Sequence, residues 1–334
     1  MEHSMNNGAA NNNSNNEGGR IIMTNGTIKT MEVFAGTVKC IVETVYGDGY
    51  TISIQPMTKN NGTRLTGLTI SKKGVNIAPN IYLESLFERY QDGMTMEAVC
   101  REVMDIYEQY KETQDFDSRK ITEFHQVRDR ICFRLVNTEK NKELLADIPY
   151  IPYLDLAIVF YVLVSKDAGG TSTVLIRNSF IDSWGTDTQT LYSIAIENTQ
   201  RIFRGSVQSM GNVMAEIMEV MLDAEDSKEF YDMAVDTEDR FPMYVATNYE
   251  KLNGASVLLY PNLLRDFAEQ IRSDFYILPS SIHEVIFVPE SAGMDIEYMK
   301  TMVQEINVTQ VADEEILSDN VYFYNRACDR VEMM

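Results

Sequence analysis

Basic charge is scarce in this chain. Against 50 aspartates and glutamates stand 29 lysines and arginines, a formal net charge of −21 over 334 residues. Affinity for a phosphate backbone comes from clustered cations that release counterions. The densest basic spots are Lys72-Lys73 and Arg128 with Arg130, each set among other residue types. Nucleic-acid binding is therefore not expected. Histidine is scarcer still: there are three, and His3 lies in the N-terminal tail. The four cysteines, Cys40, Cys100, Cys132 and Cys328, are spaced too widely for any CxxC pair. A structural zinc site needs about four such ligands, so no metal is expected. A chain of this length needs no disulfide staples. Cys100 and Cys132 also sit within periodic apolar patterns, so all four read as reduced thiols. No cofactor is expected, because GxGxxG is absent and DAGGTST lacks the GK[ST] ending of a phosphate loop. Long apolar runs are missing as well. The longest, Ala157 to Val164, falls far short of the ~20 residues that cross a membrane. The N-terminus, MEHSMNNGAANNNSNNEGG, has neither the basic start nor the apolar stretch of a secretion signal. A soluble cytoplasmic protein is the expectation.

What is present divides the chain in three. Residues 1–30 form an Asn-rich tail with almost nothing to bury, and disorder is expected there. Residues 31–115 read as a smaller α+β segment. Within it TVKCIVETVY is open between helix and strand. Tyr50 to Met57 alternates as a strand, and Leu65, Leu68 and Ile70 mark a second. Asn60-Asn61-Gly62 between them tolerates positive φ, so a β-hairpin is predicted. Two helices follow, the first with Pro79 in its opening turn and Gly93 as its C-cap. The second is capped by Thr95 and carries Met96, Val99, Cys100, Val103, Ile106, Tyr107 and Tyr110 on one stripe. The polar stretch Lys111 to Lys120 is a linker.

Residues 116–334 read as a larger mixed-sheet domain. A short helix holds His125, a surface histidine, and ICFRLVN alternates as a strand. Leu154 to Val164 is apolar on both faces, which suggests a central strand covered on both sides. A DAGG turn returns it to a strand at STVLIRN, and helices occupy much of Ser179 to Leu222. Asp223 to Arg240 is the acidic maximum and lacks the ligand order of an EF-hand loop. Beyond it MYVATN, ASVLLY, DFYILP, HEVIFVP and VYFYN read as strands, with helices from Pro261 and near Ile296. The fold class is α+β: a mixed sheet with packed helices, preceded by the hairpin and its two helices.

One stretch holds the parts of a hydrolytic site, ILPSSIHEVIFVPE, from Ile277 to Glu290. The candidate residues are Ser281 and His283. If His283 and Glu284 both lie in the strand, they point to opposite faces and cannot meet. Ser281 and His283 would share a face, with Cα atoms roughly 6.5–7 Å apart. No third group to orient the imidazole is identifiable, and neither GxSxG nor HExxH occurs. The bland reading is a serine-rich turn between strands.

The phrases KNNGTRLTGLTI, APNIYLE and YQDG, then LVNTEKNKELLADIPY, DLAIVFYVLV, NGASVLLYP, DFYILPSSIHEVIFVPE and EINVTQVADEEILSDNVYFYN, occur in order from about Met31. In them the chain resembles the domain of unknown function 5688 family of clostridial-type bacteria. The resemblance implies cytoplasmic proteins, often in several copies per genome, with no assigned activity. The first expectation is a non-catalytic cytoplasmic binding or accessory protein with a protein partner. The second is a hydrolase using Ser281 and His283. The third is mimicry of nucleic acid by the acidic run Asp223–Glu238.

Overall fold

The structure is a computed structural model that describes residues 28–72, 80–110, 119–167, 170–221 and 242–334. The Asn-rich tail up to residue 27, Pro79, the linker stretch 111–118, the middle of the DAGG turn and the acidic segment Asp223–Arg240 lie outside the described residues.

The first unit opens on helix α1, Met31–Tyr46, so TVKCIVETVY is helical. Thr30 caps it by accepting the Val33 N–H, and Phe34, Ala35, Val38 and Val42 are its buried stripe. The hairpin follows as β1, Tyr50–Thr58, and β2, Arg64–Lys72, antiparallel from Tyr50↔Lys72 to Thr58↔Arg64. Asn61 and Gly62 at its tip both have positive φ, 60° and 71°, the backbone that Asn and Gly adopt most cheaply. Strand β3, Asn80–Tyr82, adds to β2. Helices α2, Glu84–Gln91, and α3, Met96–Tyr110, complete the unit. The predicted opening of the first helix at Pro79 is corrected. Ile81 pairs across from Leu68 and is buried, so residues 80–82 go to the sheet and the helix starts at Glu84. The core of this unit centres on Phe34, Leu68, Ile70, Leu83, Val99 and Val103.

The rest begins with two short helices, α4, Arg119–Thr122, and α5, Phe124–Val127. Strand β4, Ile131–Asn137, comes next, then helix α6, Lys142–Leu145. Strands β5, Tyr150–Tyr153, β6, Leu156–Asp167, and β7, Gly170–Leu175, complete a sheet around β6. Strand β4 lies along one side of β6, and β5 and β7 share its other side, one towards each end. The apolar run of β6 does divide between two faces. Leu156, Ile158, Phe160 and Val162 enter the main core. Ala157 and Val159 pack with Val136 and Leu145, and Tyr161 and Leu163 with Cys132 and Phe203, on the other face.

Helices α7, Asn178–Trp184, and α8, Thr188–Ile202, lead to β8, Gly205–Ser209, and α9, Met210–Met221. Then come β9, Tyr244–Asn248, and α10, Leu263–Ile271. Strands β10, Phe275–Leu278, and β11, Val285–Pro289, precede α11, Ile296–Thr309. Strands β12, Tyr322–Asn325, and β13, Arg330–Met333, end the chain. The second sheet has the order β13-β12-β10-β11-β9-β8. Its Phe275, Phe287 and Tyr322 meet Phe133 and Phe160 of the first sheet, and α8 contributes Leu191 and Ala195 to the same core.

Two sequence expectations are corrected here. Among the described residues every strand pairing is antiparallel, so the sheet is not mixed. The helical crossover through α10 does return β10 in the direction of β9, but β11 inserts between them and opposes both. ASVLLY is not a strand. Gly254–Leu259 forms a 3-10 helix, buried from Gly254 to Leu258. A Cβ on Gly254 would collide with Thr247 Oγ1 and the His283 carbonyl oxygen. Glycine therefore allows this segment to press against the chain at His283.

The hairpin tip docks the first unit on the second. The Asn61 side chain donates to the carbonyls of Asp313 at 2.8 Å and Ile316 at 2.7 Å, and its backbone N–H donates to Asn141 Oδ1 at 2.9 Å. Asn141 donates back to Asn61 Oδ1 at 2.9 Å, and Asn60 donates to the Glu314 carbonyl at 2.7 Å. A second polar anchor holds the neighbouring chain. Asp155, in the β5–β6 turn, accepts from Ser318 at 2.6 Å, Asn320 at 2.9 Å and Tyr322 at 2.5 Å. Burial and the Asp155 carboxylate push the Tyr322 hydroxyl far above its ordinary value, so it remains a donor.

Two stability predictions follow from these anchors. Asn61→Gly keeps the positive φ and deletes only the side-chain bonds, so urea denaturation should show a loss of about 2–3 kcal/mol. A change under about 0.5 kcal/mol would remove the tip from the docking role. Asp155→Ala leaves three donors without an acceptor and should cost about 3–5 kcal/mol by the same measurement.

Candidate functional site

Docking the two units leaves a cleft of about 560 Å³ between them. Its walls are the hairpin end, the start of α2, one face of the first sheet, and the loops around His283 and Glu315. Arg134 rises from the middle of that sheet face. Along β4, Ile131, Phe133 and Leu135 point into the main core, so Cys132, Arg134 and Val136 point the other way. Cys132 and Val136 are buried, as is Val159, directly across from Arg134 on β6. The Arg134 residue is half-buried, and its Nε is closed off from solvent without an acceptor among the described residues. Among the described residues no carboxylate pairs with it. Burial pulls its proton affinity below the ordinary arginine value, yet the group stays charged at neutral pH.

Two further polar atoms of the same walls lack partners. Glu84 opens α2, and its Oε1 accepts the Thr66 N–H at 2.5 Å. Among the described residues its Oε2 is buried with nothing to accept from, and so is Asn60 Oδ1. The Lys59 ammonium lies 3.8 Å from the centre of the Tyr82 ring, a cation–π contact, and among the described residues no carboxylate pairs with it.

His283 lines the cleft, and Ser281 does not. The sequence reading places His283 and Glu284 on opposite faces of a strand. That is corrected: β11 begins at Val285, so neither residue belongs to it. The chain before β11 instead runs antiparallel to the segment after α11. Ile282 N–H donates to the Glu315 carbonyl at 2.8 Å, and Leu317 N–H to the Ser280 carbonyl at 3.1 Å. Ser281 bridges to Ile316. This pairing sets Glu315 Oε1 3.4 Å from His283 Nε2. The other ring nitrogen, Nδ1, accepts the Asn253 N–H at 3.3 Å. In the neutral ring the proton therefore resides on Nε2, facing Glu315. Ser281 is buried, and its hydroxyl accepts the N–H of His283 at 2.9 Å. It tightens the local turn and does not reach the imidazole.

The remaining candidates for chemistry lie elsewhere. His125 is on the surface beside Glu123, at 3.5 Å. Burial pushes the Cys100 and Cys132 thiols up to about 11 and about 12, so neither is a thiolate at neutral pH. Sequence reasoning passed over Arg134, Lys59, Glu84, Asn60 and Glu315. For Arg134 a signal exists: it is the single charge within ICFRLVN, in a strand otherwise apolar on both faces up to Val136.

No curated protein and no solved structure matches this chain. A family model described as a family of unknown function, DUF5688, matches residues 31–326. That span includes the first unit, the second up to β12, the hairpin tip and every residue of the cleft named above, and the chain belongs to this family.

Proposed function

We propose that this protein is a non-catalytic binding protein of the bacterial cytoplasm that works through contact with a protein partner. One observation carries the reading. Both ring nitrogens of His283 are engaged, Nδ1 by the Asn253 N–H at 3.3 Å, Nε2 facing Glu315 at 3.4 Å. A hydrolytic histidine needs one nitrogen free to take a proton from its nucleophile. The only serine of the candidate pair spends its hydroxyl on a backbone N–H. Four free cysteines, two of them exposed, fit a reducing compartment. No helix of the described residues is long and apolar enough to cross a membrane. The net charge of −21 favours a basic partner and would draw it from a distance, an attraction that salt screens.

The hydrolase reading has one observation in its favour, the His283–Glu315 pair in an open cleft. It requires the Asn253 N–H to release Nδ1 and a nucleophile other than Ser281.

The two readings separate in one assay. Incubated with a panel of p-nitrophenyl esters and peptide anilides, the wild-type protein and His283→Ala should both release product at the rate of buffer alone. Turnover by wild type that vanishes in His283→Ala would establish the enzyme reading instead. Ser281→Ala should leave that assay unchanged and lower stability by about 1 kcal/mol, the value of one net hydrogen bond.

A further inference from the structure

We propose that the cleft between the two units holds a small zwitterion, a free amino acid or short peptide with apolar side chains. The inference goes beyond the binding reading above, which concerns a protein partner, and adds a small-molecule site to it. Its basis is three residues that line one cavity, each with a buried polar atom that lacks a partner among the described residues. Arg134 Nε is a buried donor, and Glu84 Oε2 and Asn60 Oδ1 are buried acceptors. All three residues line the same space. Buried polar groups are almost always paired, so three orphans in one cavity point to a bound molecule. The planar guanidinium matches a carboxylate in a two-pronged geometry. The two acceptors match an ammonium, which has donors and no acceptor.

The charges of the walls exclude the simpler alternatives. Lys59 and Arg134 share the cavity walls with Glu84, Glu314 and Glu315. A phosphate or other polyanion would satisfy Arg134 but meet three carboxylates and supply nothing to the two acceptors. A plain cation would satisfy the acceptors but leave Arg134 unpaired. A molecule with one charge of each sign answers both needs. Leu65, Leu144, Leu175, Leu252 and Ile282 supply the apolar part of the lining. The volume of about 560 Å³ is within the range of small-molecule sites, about 300–1,000 Å³. It leaves room for an apolar side chain beyond the charged ends.

The test uses the full chain and thermal denaturation in the presence of leucine, leucyl-leucine, N-acetyl-leucine, leucinamide and inorganic phosphate. Leucine or leucyl-leucine should raise Tm by about 2–4 °C at saturation, and calorimetric titration should give the matching heat. N-acetyl-leucine, leucinamide and phosphate should give no more than a quarter of that shift. Leucine against leucyl-leucine separates the free amino acid from the peptide. Arg134→Met should raise Tm without ligand, because it removes an unpaired buried charge, and should abolish the ligand shift. Glu84→Gln, which keeps an acceptor for the Thr66 N–H, should weaken binding at least tenfold. Equal shifts from N-acetyl-leucine or phosphate would overturn the zwitterion, as would no shift from any probe. A ligand shift that survives in both variants would also overturn it. Mass spectrometry of the leucyl-leucine mixture keeps the parent reading separate. Release of leucine would sink the non-catalytic reading while leaving the ligand assignment in place.

Discussion

Everything the cleft does depends on the hairpin tip. Asn61 hydrogen-bonds two parts of the second unit: Asn141, and the segment that holds Asp313 and Ile316. Behind it runs a relay of amides. Asn141 also donates to the Asn137 carbonyl at 2.8 Å, and Asn137 donates to the Leu317 carbonyl at 3.0 Å. Three turn and loop segments, 60–62, 137–141 and 313–317, are thus locked by primary amides, each of which offers donors and an acceptor in a compact plane. Amides suit this role better than charges because docking buries them without the desolvation cost of an ion. The positive φ at Asn61 is part of the same solution. It turns the backbone N–H towards Asn141 while the side chain reaches the opposite strand segment.

The segment from Asp313 to Ser318 carries the coupling onward. Its carbonyls at 313, 314 and 316 receive the asparagine tip. Its backbone also pairs with residues 279–282, which brings Glu315 to His283. Asp155 then clamps the chain just beyond, through Ser318, Asn320 and Tyr322. One irregular stretch therefore fixes the orientation of the first unit and the geometry of the histidine. The hairpin tip and the imidazole thus bear on the same backbone segment.

The local elements were legible in the sequence. The hairpin followed from Asn60-Asn61-Gly62 between alternating runs, and α3 from the spacing of Met96, Val99, Cys100, Val103 and Tyr107. Both are set by short-range chemistry. The β6 run was also read correctly as covered on both faces, because its eight apolar residues leave no polar side. What failed is non-local. The order of β9, β11 and β10 depends on a hairpin inserting beside a crossover, which no periodicity records. His283 was assigned to a strand by its neighbours VIFVP. Its true setting depends on a partner segment more than thirty residues away, around Glu315. The asparagines were read as turn formers, which they are, while their docking role needed residues 80 and some 250 positions distant. ASVLLY failed for a related reason. A run buried on every side looks alike as a strand or as a 3-10 turn, and Gly254 decides by fitting against Thr247 and His283.

Arg134 is where local and global consistency part. Its strand neighbours on that face, Cys132, Val136 and Val159, are buried, and methionine or leucine there would fill the same space without a charge. Replacing buried ions by apolar residues of similar size is often stabilising, by about 1–4 kcal/mol. A chain shaped for stability alone would carry such a residue between Cys132 and Val136. Natural sequences break these rules chiefly where a site requires it. The same face also ends at two acceptors with no donor, Glu84 Oε2 and Asn60 Oδ1. One unexplained polar atom can be a packing compromise. Opposite kinds of unmet demand, a donor and two acceptors around one cavity, describe the complement of a molecule.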